Sequence, residues 1–600
     1  MPTQMNDTVT VQMDQLPYNP KSLERELRPY YIGAKDQEID QMLKELSFKY
    51  LDDLFLHIPQ EVKFKGPIGL GQALPYNQLL AHVTSVAKKN RMPLSFIGDG
   101  LPYYKIPELV SFVCDIRGLT TAYTPYQPER SQGTLHSLWA YTNMMSQLTG
   151  FEAINASLYD RATALYEGLL SSTRITGHDT VIVSEGVYPE DRQVVETLAQ
   201  GTKLKIIWIP LHIETGLTDL AKLKQTIAAM PSDLAAVAFP QVNCLGLLES
   251  VDELTDLAHE NKLLALGIID PMLLATGGLR APVDFGLLKD ESGQKVGADL
   301  IVGEAQHLAL APNFGGPGLG LFGCRYNKSN KNSIRSTPGR YVGKGHDSQG
   351  NPAYAMVLST REQHIRREKA TSNICSNQSF IATLAGAAVM ARGEEGMSSA
   401  ILEGRKMALR AVEELTALKG LSLAFPQSAF FNEFVLSVEG PTLTQLQKEA
   451  QKDDLQPGLD VSSRIKTVGA KQLLMISFTD RHCLADIARL VAFFEKRLKE
   501  KKTPQKMAFE LPQKYIRAGH VNLPSFPQEV LKDFYKKLGE QNVSQDDNIY
   551  PLGSCTMKYN PYINDYLAGL SEFTQAHPKA PIEDVQGCLQ NHFETQEQFK

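Results

Sequence analysis

Two stretches of this 600-residue chain concentrate side chains able to hold or react with a small charged molecule. The first, TAYTPYQPERSQGT at 121–134, sets Tyr123, Tyr126, Gln127, Ser131, Gln132 and Thr134 in a proline-bounded loop ahead of a run with helical period. A loop entering a helix offers hydroxyls and unpaired backbone N–H groups to an anion. It is therefore a candidate wall of an active site or of a subunit interface; a Tyr–Pro turn packed into a core is the other reading. The second, PLGSCTMKYNP at 551–561, places Ser554, Cys555, Thr556 and Lys558 between a glycine and a proline, the setting of a tight exposed turn. Lys558 has the charge to hold a carboxylate, although most lysines are simply solvated. No histidine at matched spacing supports Cys555 as a thiolate nucleophile.

Three further patterns bear on chemistry. The glycine-rich NFGGPGLGLFG at 313–323 could cradle a phosphate on its backbone N–H groups. It lacks the GxxxxGK[ST] spacing, and a tight connection into a strand is the competing reading. REQHIRREKATSNICSNQ at 361–378 gathers basic residues near a helix start, suited to an acidic partner or to a solvated face. His364 in it has no second histidine at ligand spacing. The seven cysteines are scattered without a CxxC, which argues against a zinc site or a disulfide framework and for a reducing compartment.

Elements able to position these residues can be read from periodicity. Apolar runs at 180–184 (TVIVS), 205–210 (KIIWIP), 235–239 (AAVAF), 263–269 (LLALGII) and 299–302 alternate with helical periods such as 217–230 and 251–261. Runs apolar on both faces, separated by helices, predict a parallel sheet in an α/β domain. Ahead of them the spacing predicts a helix over 134–148, with Leu135, Leu138, Trp139, Met145 and Leu148 on one side and Ser131 or Thr134 as cap. Helices over 393–418 and 483–498 around strands at 421–425, 433–438 and 472–478 predict a smaller α+β module. The charged, proline-containing LKEKKTPQK at 498–506 reads as a linker or a solvated helix end. The core patterns close before it, so residues 1–502 are expected to fold without the rest.

Composition is ordinary for a soluble protein, with 42% hydrophobic and 21% charged residues. A net charge of -6 gives no attraction to nucleic acid. No run approaches the roughly 18 apolar residues of a membrane helix, and the N-terminus has no signal-peptide pattern. A cytoplasmic protein without membrane or nucleic-acid partners is expected.

The stretches TAYTPYQPERSQGT, NASLYDRATALYEG (155–168) and REQHIRREKATSNICSNQ, with SFIGDGLPYYKIP (95–107), resemble the first subunit of glycine dehydrogenase (decarboxylating), the glycine cleavage system P-protein. The likeness covers about residues 20–500. YPLGSCTMKYNP (550–561) and HPKAPIEDVQG (577–587) resemble the start of that enzyme's second subunit, which in this family carries the cofactor. The resemblance implies a fold-type I pyridoxal-phosphate-dependent transferase architecture. Its domains would be a mostly helical N-terminal segment at 1–115, a large α/β domain at 116–380, a small α+β domain at 381–500, and the incomplete start of a second half at 501–600.

In fold-type I enzymes a lysine after a late strand of the large domain holds pyridoxal phosphate, and an aspartate on an earlier strand faces the ring nitrogen. Asp270 stands at the aspartate's place, or is a strand-end residue capping a turn. No lysine occurs in 303–316, and His307, which cannot form a Schiff base, stands near the lysine's place. The resemblance thus implies no catalytic residue in this chain, with pyridoxal phosphate held by a partner half. Tyr123, Tyr126, Gln127, Ser131, Gln132, Ser554, Cys555, Thr556 and Lys558 would form a wall around glycine. The implied partners are a second P-protein subunit or fragment and the lipoyl carrier H-protein, in a dimer or heterotetramer. A non-catalytic scaffold, or the product of a disrupted gene, is the rival reading.

Overall fold

The computed structural model describes residues 34–63, 74–120, 127–230, 232–326, 330–358, 365, 367, 370–372, 376–465, 472–505, 508, 510–544 and 561–599. They divide into two compact units. One comprises the described residues within Met1–Arg91, Tyr550–Phe573 and Ile582–Lys600, the other those within Met92–Ile549 and Thr574–Pro581.

The larger unit is organised by a seven-stranded sheet of β1 (Ala153–Ile154), β2 (Thr180–Ser184), β3 (Lys205–Ile209), β4 (Leu234–Pro240), β5 (Leu264–Ile269), β6 (Leu300–Glu304) and β7 (Gly320–Cys324). Its order is β1-β7-β6-β5-β4-β2-β3. The β3-β2-β4-β5-β6 block is parallel, and β7 alone runs against it, pairing antiparallel with both β6 and β1. Alternation along each strand feeds two cores. Ile182, Val237, Ala265 and Ile301 pack with Leu135, Leu138, Met145 and Leu148 of helix α1 (Gln132–Thr149). Val183, Ala236, Leu266 and Val302 pack on the opposite face with Ala164, Leu165 and Leu169 of α2 (Arg161–Thr176). Helices on both faces explain why these strands read as continuous apolar runs rather than alternating ones.

Helix α1 matches the periodicity, beginning at its N-cap Ser131 and stopping at Gly150, whose φ of 76° takes the left-handed form that ends helices. The helix expected from residue 393 is the second part of a longer one, α3 (Ser376–Thr416), which turns at Gly393 with φ 58°. A separate antiparallel sheet of Leu421–Leu423, Glu433–Val438, Gln472–Ser477 and Leu459–Asp460 forms the smaller module. Phe434, Leu436, Leu474 and Ile476 are among its fully buried residues.

Residues beyond 502, expected to be dispensable for folding of the first part, contribute to its core. Helix α4 (Gln528–Glu540) places Leu531, Tyr535 and Leu538 at i, i+4 and i+7, and all three are buried in the core shared with α1. A Cβ on Gly133 would collide with the Leu538 carbonyl oxygen, so glycine allows the two backbones to touch. Asn542 Oδ1 accepts from the Thr134 N–H at 3.1 Å, and its Nδ2 donates to the Gly118 carbonyl and Thr134 Oγ1, each at 2.9 Å. Arg517 donates to the carbonyls of Leu148 (2.6 Å), Leu274 (2.9 Å) and Gln147 (3.1 Å), placing a cation on the C-terminal end of α1. Three apolar positions were too few to reveal from sequence that this segment completes the first part.

In the smaller unit, Asn90 accepts from the Gly587 and Cys588 N–H groups at 2.7 and 3.1 Å, capping the helix Gln586–Gln598 from a distant segment. Arg91 pairs with Asp584 at 3.1 Å. Among the described residues no helix is long and apolar enough to cross a membrane.

Candidate functional site

The C-terminal ends of β5 and β6 converge on a cavity of about 50 Å³, where ligands of open α/β sheets bind. Ile268, Ile269, Asp270, Glu304 and His307 line it from the sheet, Gly100, Pro102 and Tyr104 from the extended segment before α1, and Asn432 and Glu433 from the smaller module. Arg161, the first residue of α2, and Tyr188 complete it.

Each charge is held by the backbone geometry around it. Asp270 leaves the end of β5, accepts from the Met272 N–H at 2.9 Å, and pairs through Oδ1 with His307 Nε2 at 2.8 Å. His307 is buried, 3% exposed, and its Nδ1 has no hydrogen-bond partner among the described residues. Burial depresses its pKa, but the Asp270 charge and hydrogen bond outweigh that, so the net shift is upward. Glu304 closes β6 and accepts from the N–H groups of Leu319 (2.7 Å), Gln306 (3.0 Å) and Arg161 (3.1 Å). Burial raises its pKa against those bonds. Arg161 Nε donates to Asp191 at 2.5 Å while its guanidinium lies 4.2 Å from the Tyr188 ring centre. Arg464 pairs with Asp99 at 2.7 Å, both nearly buried. Glu433 accepts from the Asp99 N–H at 3.1 Å. Burial, then the Asp99 charge, pushes its pKa up to about 7. The Tyr104 hydroxyl is buried without a hydrogen-bond partner among the described residues. Beside Asp99, His577 Nε2 donates to the Gly98 carbonyl at 3.1 Å, and burial lowers its pKa to about 4.

Residues 29–494 match the family model described as the glycine cleavage system P-protein. That is well over half of the chain. The chain belongs to this family. It is 35% identical over 462 residues to a probable glycine dehydrogenase (decarboxylating) subunit 1 of Moorella thermoacetica (strain ATCC 39073 / JCM 9320), covering 77% of this chain and 98% of that protein. Against the subunit of the same description from Geobacillus sp. (strain WCH70) it is 36% identical, covering 72% of this chain and 91% of that one. A crystal structure of glycine decarboxylase (P-protein) of the glycine cleavage system, in inhibitor-bound form, superposes with a TM-score of 0.67 at 31% identity, over 78% of this chain and 99% of that chain. The architecture is that of fold-type I pyridoxal-phosphate enzymes, as the P-protein motifs imply.

The site does not fit the cofactor of that fold. His307 and Asp270, the residues expected from sequence near the places of an aldimine lysine and a ring-nitrogen aspartate, satisfy each other. The cavity presents the carboxylates of Asp270, Glu304 and Glu433, and its one arginine is engaged by Asp191. Such a lining opposes a phosphate rather than cradling it. The glycine-rich stretch serves β7: a Cβ on Gly318 would come within 2.9 Å of the Tyr159 carbonyl oxygen and of Asp160 Cβ. Gly320 packs on the backbone of Asp160.

The P-protein motif residues are distributed as follows. Gln132 Nε2 donates to the carbonyls of Pro128 (2.7 Å) and Tyr354 (2.9 Å), and its Oε1 accepts from the Tyr354 N–H, tying α1 to the strand Pro352–Val357. Ser131 is buried and bridges to Asn542. Gln127 lies half-buried at the start of the same turn. None of these three lines the cavity. Tyr123, Tyr126, Ser554, Cys555, Thr556 and Lys558 lie outside the described residues. Tyr104, Arg161, Tyr188, Glu304, Glu433 and the Asp99–Arg464 pair were not singled out from sequence. Asp99 and Tyr104 sit inside SFIGDGLPYYKIP and Arg161 inside NASLYDRATALYEG, so the signal was in the quoted stretches.

Proposed function

We propose that this chain supplies the half of glycine dehydrogenase (decarboxylating) that does not hold the cofactor covalently. Assembled with a second subunit or fragment bearing pyridoxal phosphate, it takes part in the decarboxylation of glycine and transfer of the aminomethyl group to the lipoyl group of the carrier H-protein. The His307–Asp270 pair at the end of the sheet, in a chain with first-subunit sequence, is the observation that carries this reading. The loop at 121–134 and the turn at 551–561 are the parts assigned to the wall around glycine. Residues 501–600 are assigned to the start of the second half, by their YPLGSCTMKYNP and HPKAPIEDVQG stretches.

The test is glycine–bicarbonate exchange by the chain alone, by the second subunit alone, and by both with lipoylated carrier. The expected result is exchange only with both. Borohydride treatment of the chain with pyridoxal phosphate is expected to leave no pyridoxyl adduct within residues 1–500. Exchange or an adduct with the chain alone overturns the proposal. A complex that assembles without exchange identifies a scaffold instead.

A further inference from the structure

The cavity at the ends of β5 and β6 carries more negative charge than its own cations offset. Of the ionisable groups lining it, Asp270 is paired with His307, and Arg161 is engaged by Asp191 outside the lining. That leaves Glu304 and Glu433, both buried, without an ion-pair partner among the described residues. Glu304 uses three of its roughly four lone-pair sites on the N–H groups of Leu319, Gln306 and Arg161. Glu433 takes up the Asp99 N–H on one oxygen. A carboxylate held away from water without a counter-charge is costly. A second observation is independent of charge. Tyr104, 1% exposed, lines the same cavity, and its hydroxyl has no hydrogen-bond partner among the described residues. Burial, then the charges of Asp270, Asp480 and Glu433, raises its pKa well above the usual phenol value, so the hydroxyl stays neutral beside these carboxylates.

Size and chemistry select the occupant. At about 50 Å³ the cavity exceeds the roughly 10–15 Å³ that one water needs, yet it admits only a few heavy atoms. Among the described residues no group of three His, Cys, Asp or Glu side chains is placed to hold a metal ion. An anion would meet the carboxylates of Asp270, Glu304 and Glu433. A primary ammonium has three N–H donors that can go to separate acceptors. Val242, Ile268, Ile269 and Leu273 offer a short carbon stub an apolar wall. We propose that this cavity binds a small primary ammonium ion, with Glu304, Glu433 and the Tyr104 hydroxyl oxygen as its acceptors. Every lining residue belongs to the larger unit of this chain, so the site needs no second subunit.

The experiment is isothermal titration calorimetry of the full chain with methylammonium chloride, set against sodium chloride, tetramethylammonium chloride and glycine. Wild type, Tyr104→Phe, Glu433→Gln and the control Glu291→Gln, exposed and outside the cavity, are compared. Wild type and control should bind one methylammonium saturably. Tyr104→Phe and Glu433→Gln should each weaken that binding about ten- to a hundredfold, the loss of one acceptor for a charged group. Tetramethylammonium, which has no N–H donor, and glycine, whose carboxylate would meet those of the lining, should give no saturable heat. Tyr104→Phe keeps the ring and removes only the hydroxyl, so its unfolding midpoint without ligand should equal or exceed that of wild type. A midpoint that falls makes the hydroxyl structural and overturns its role. No saturable binding by wild type overturns the site, and so does binding that both cavity variants retain, because the ion then sits elsewhere. Sodium, tetramethylammonium or glycine bound as tightly as methylammonium overturns the assignment to a primary ammonium.

Discussion

Replacing Asp270 by Asn should destabilise the chain in a way that depends on pH. His307 is 3% exposed and Asp270 25%, so the pair is shielded on the histidine side and partly open on the other. Breaking a fully buried pair costs about 3–5 kcal/mol, and the quarter exposure of Asp270 places the loss near the lower end, about 3 kcal/mol. The folded-state pKa of His307 lies above its unfolded value. The stability from the charged pair is therefore fully present below about pH 6.5, the usual histidine value, and is lost as pH rises through the folded value. Above that only a neutral hydrogen bond is forfeited, worth about 1 kcal/mol. The assay is urea unfolding of wild type and Asp270→Asn at pH 6 and pH 9, with slopes compared to confirm that the same surface unfolds. The gap should shrink from about 3 to about 1 kcal/mol. An equal gap at both values would refute a His307 that sheds its charge between pH 6 and pH 9.

Glu433 gives a pH slope of the same sign: its pKa is raised to about 7, so folding is opposed progressively as pH climbs from the ordinary carboxyl range to about 7. Glu433→Gln should gain stability relative to wild type across that window, read from unfolding midpoints at pH 5 and pH 8; a constant difference would count against it. Gly133→Ala sets a methyl against the Leu538 carbonyl and should cost about 2–3 kcal/mol in thermal unfolding, the upper part of the overpacking range. In the reconstituted enzyme, Tyr126→Phe should slow glycine–bicarbonate exchange about ten- to a hundredfold, the loss of one hydrogen bond to a charged group. Unchanged exchange with intact assembly would make that loop structural.

The parallel sheet was legible because its strands are covered on both faces, and composition alone then marks them. Helix α1 was legible because four of its five expected apolar positions are fully buried. The turn at Gly393 was read as a beginning; Pro524 and Ser525 lie against it there, a proximity that no local pattern records. The absence of a lysine in 303–316 could be read directly, but not that His307 would bond Asp270, 37 positions away. Glu433 and Asp99 are 334 positions apart and become neighbours only through the smaller module's placement. Spacing arguments reach residues on one helix or strand; this cavity draws on at least five separate segments.

The bonds from Asn542 to Thr134 span 408 positions. On a ribosome adding about 5–20 residues per second, the face made by Gly118, Gly133 and Thr134 would wait some 20–80 seconds for its cover. During that interval the nascent chain exposes the start of α1 and the apolar surface beneath α4. Its final fastening is therefore set by the rate of translation, and a chaperone able to shield that face would act on this protein while it is still being made.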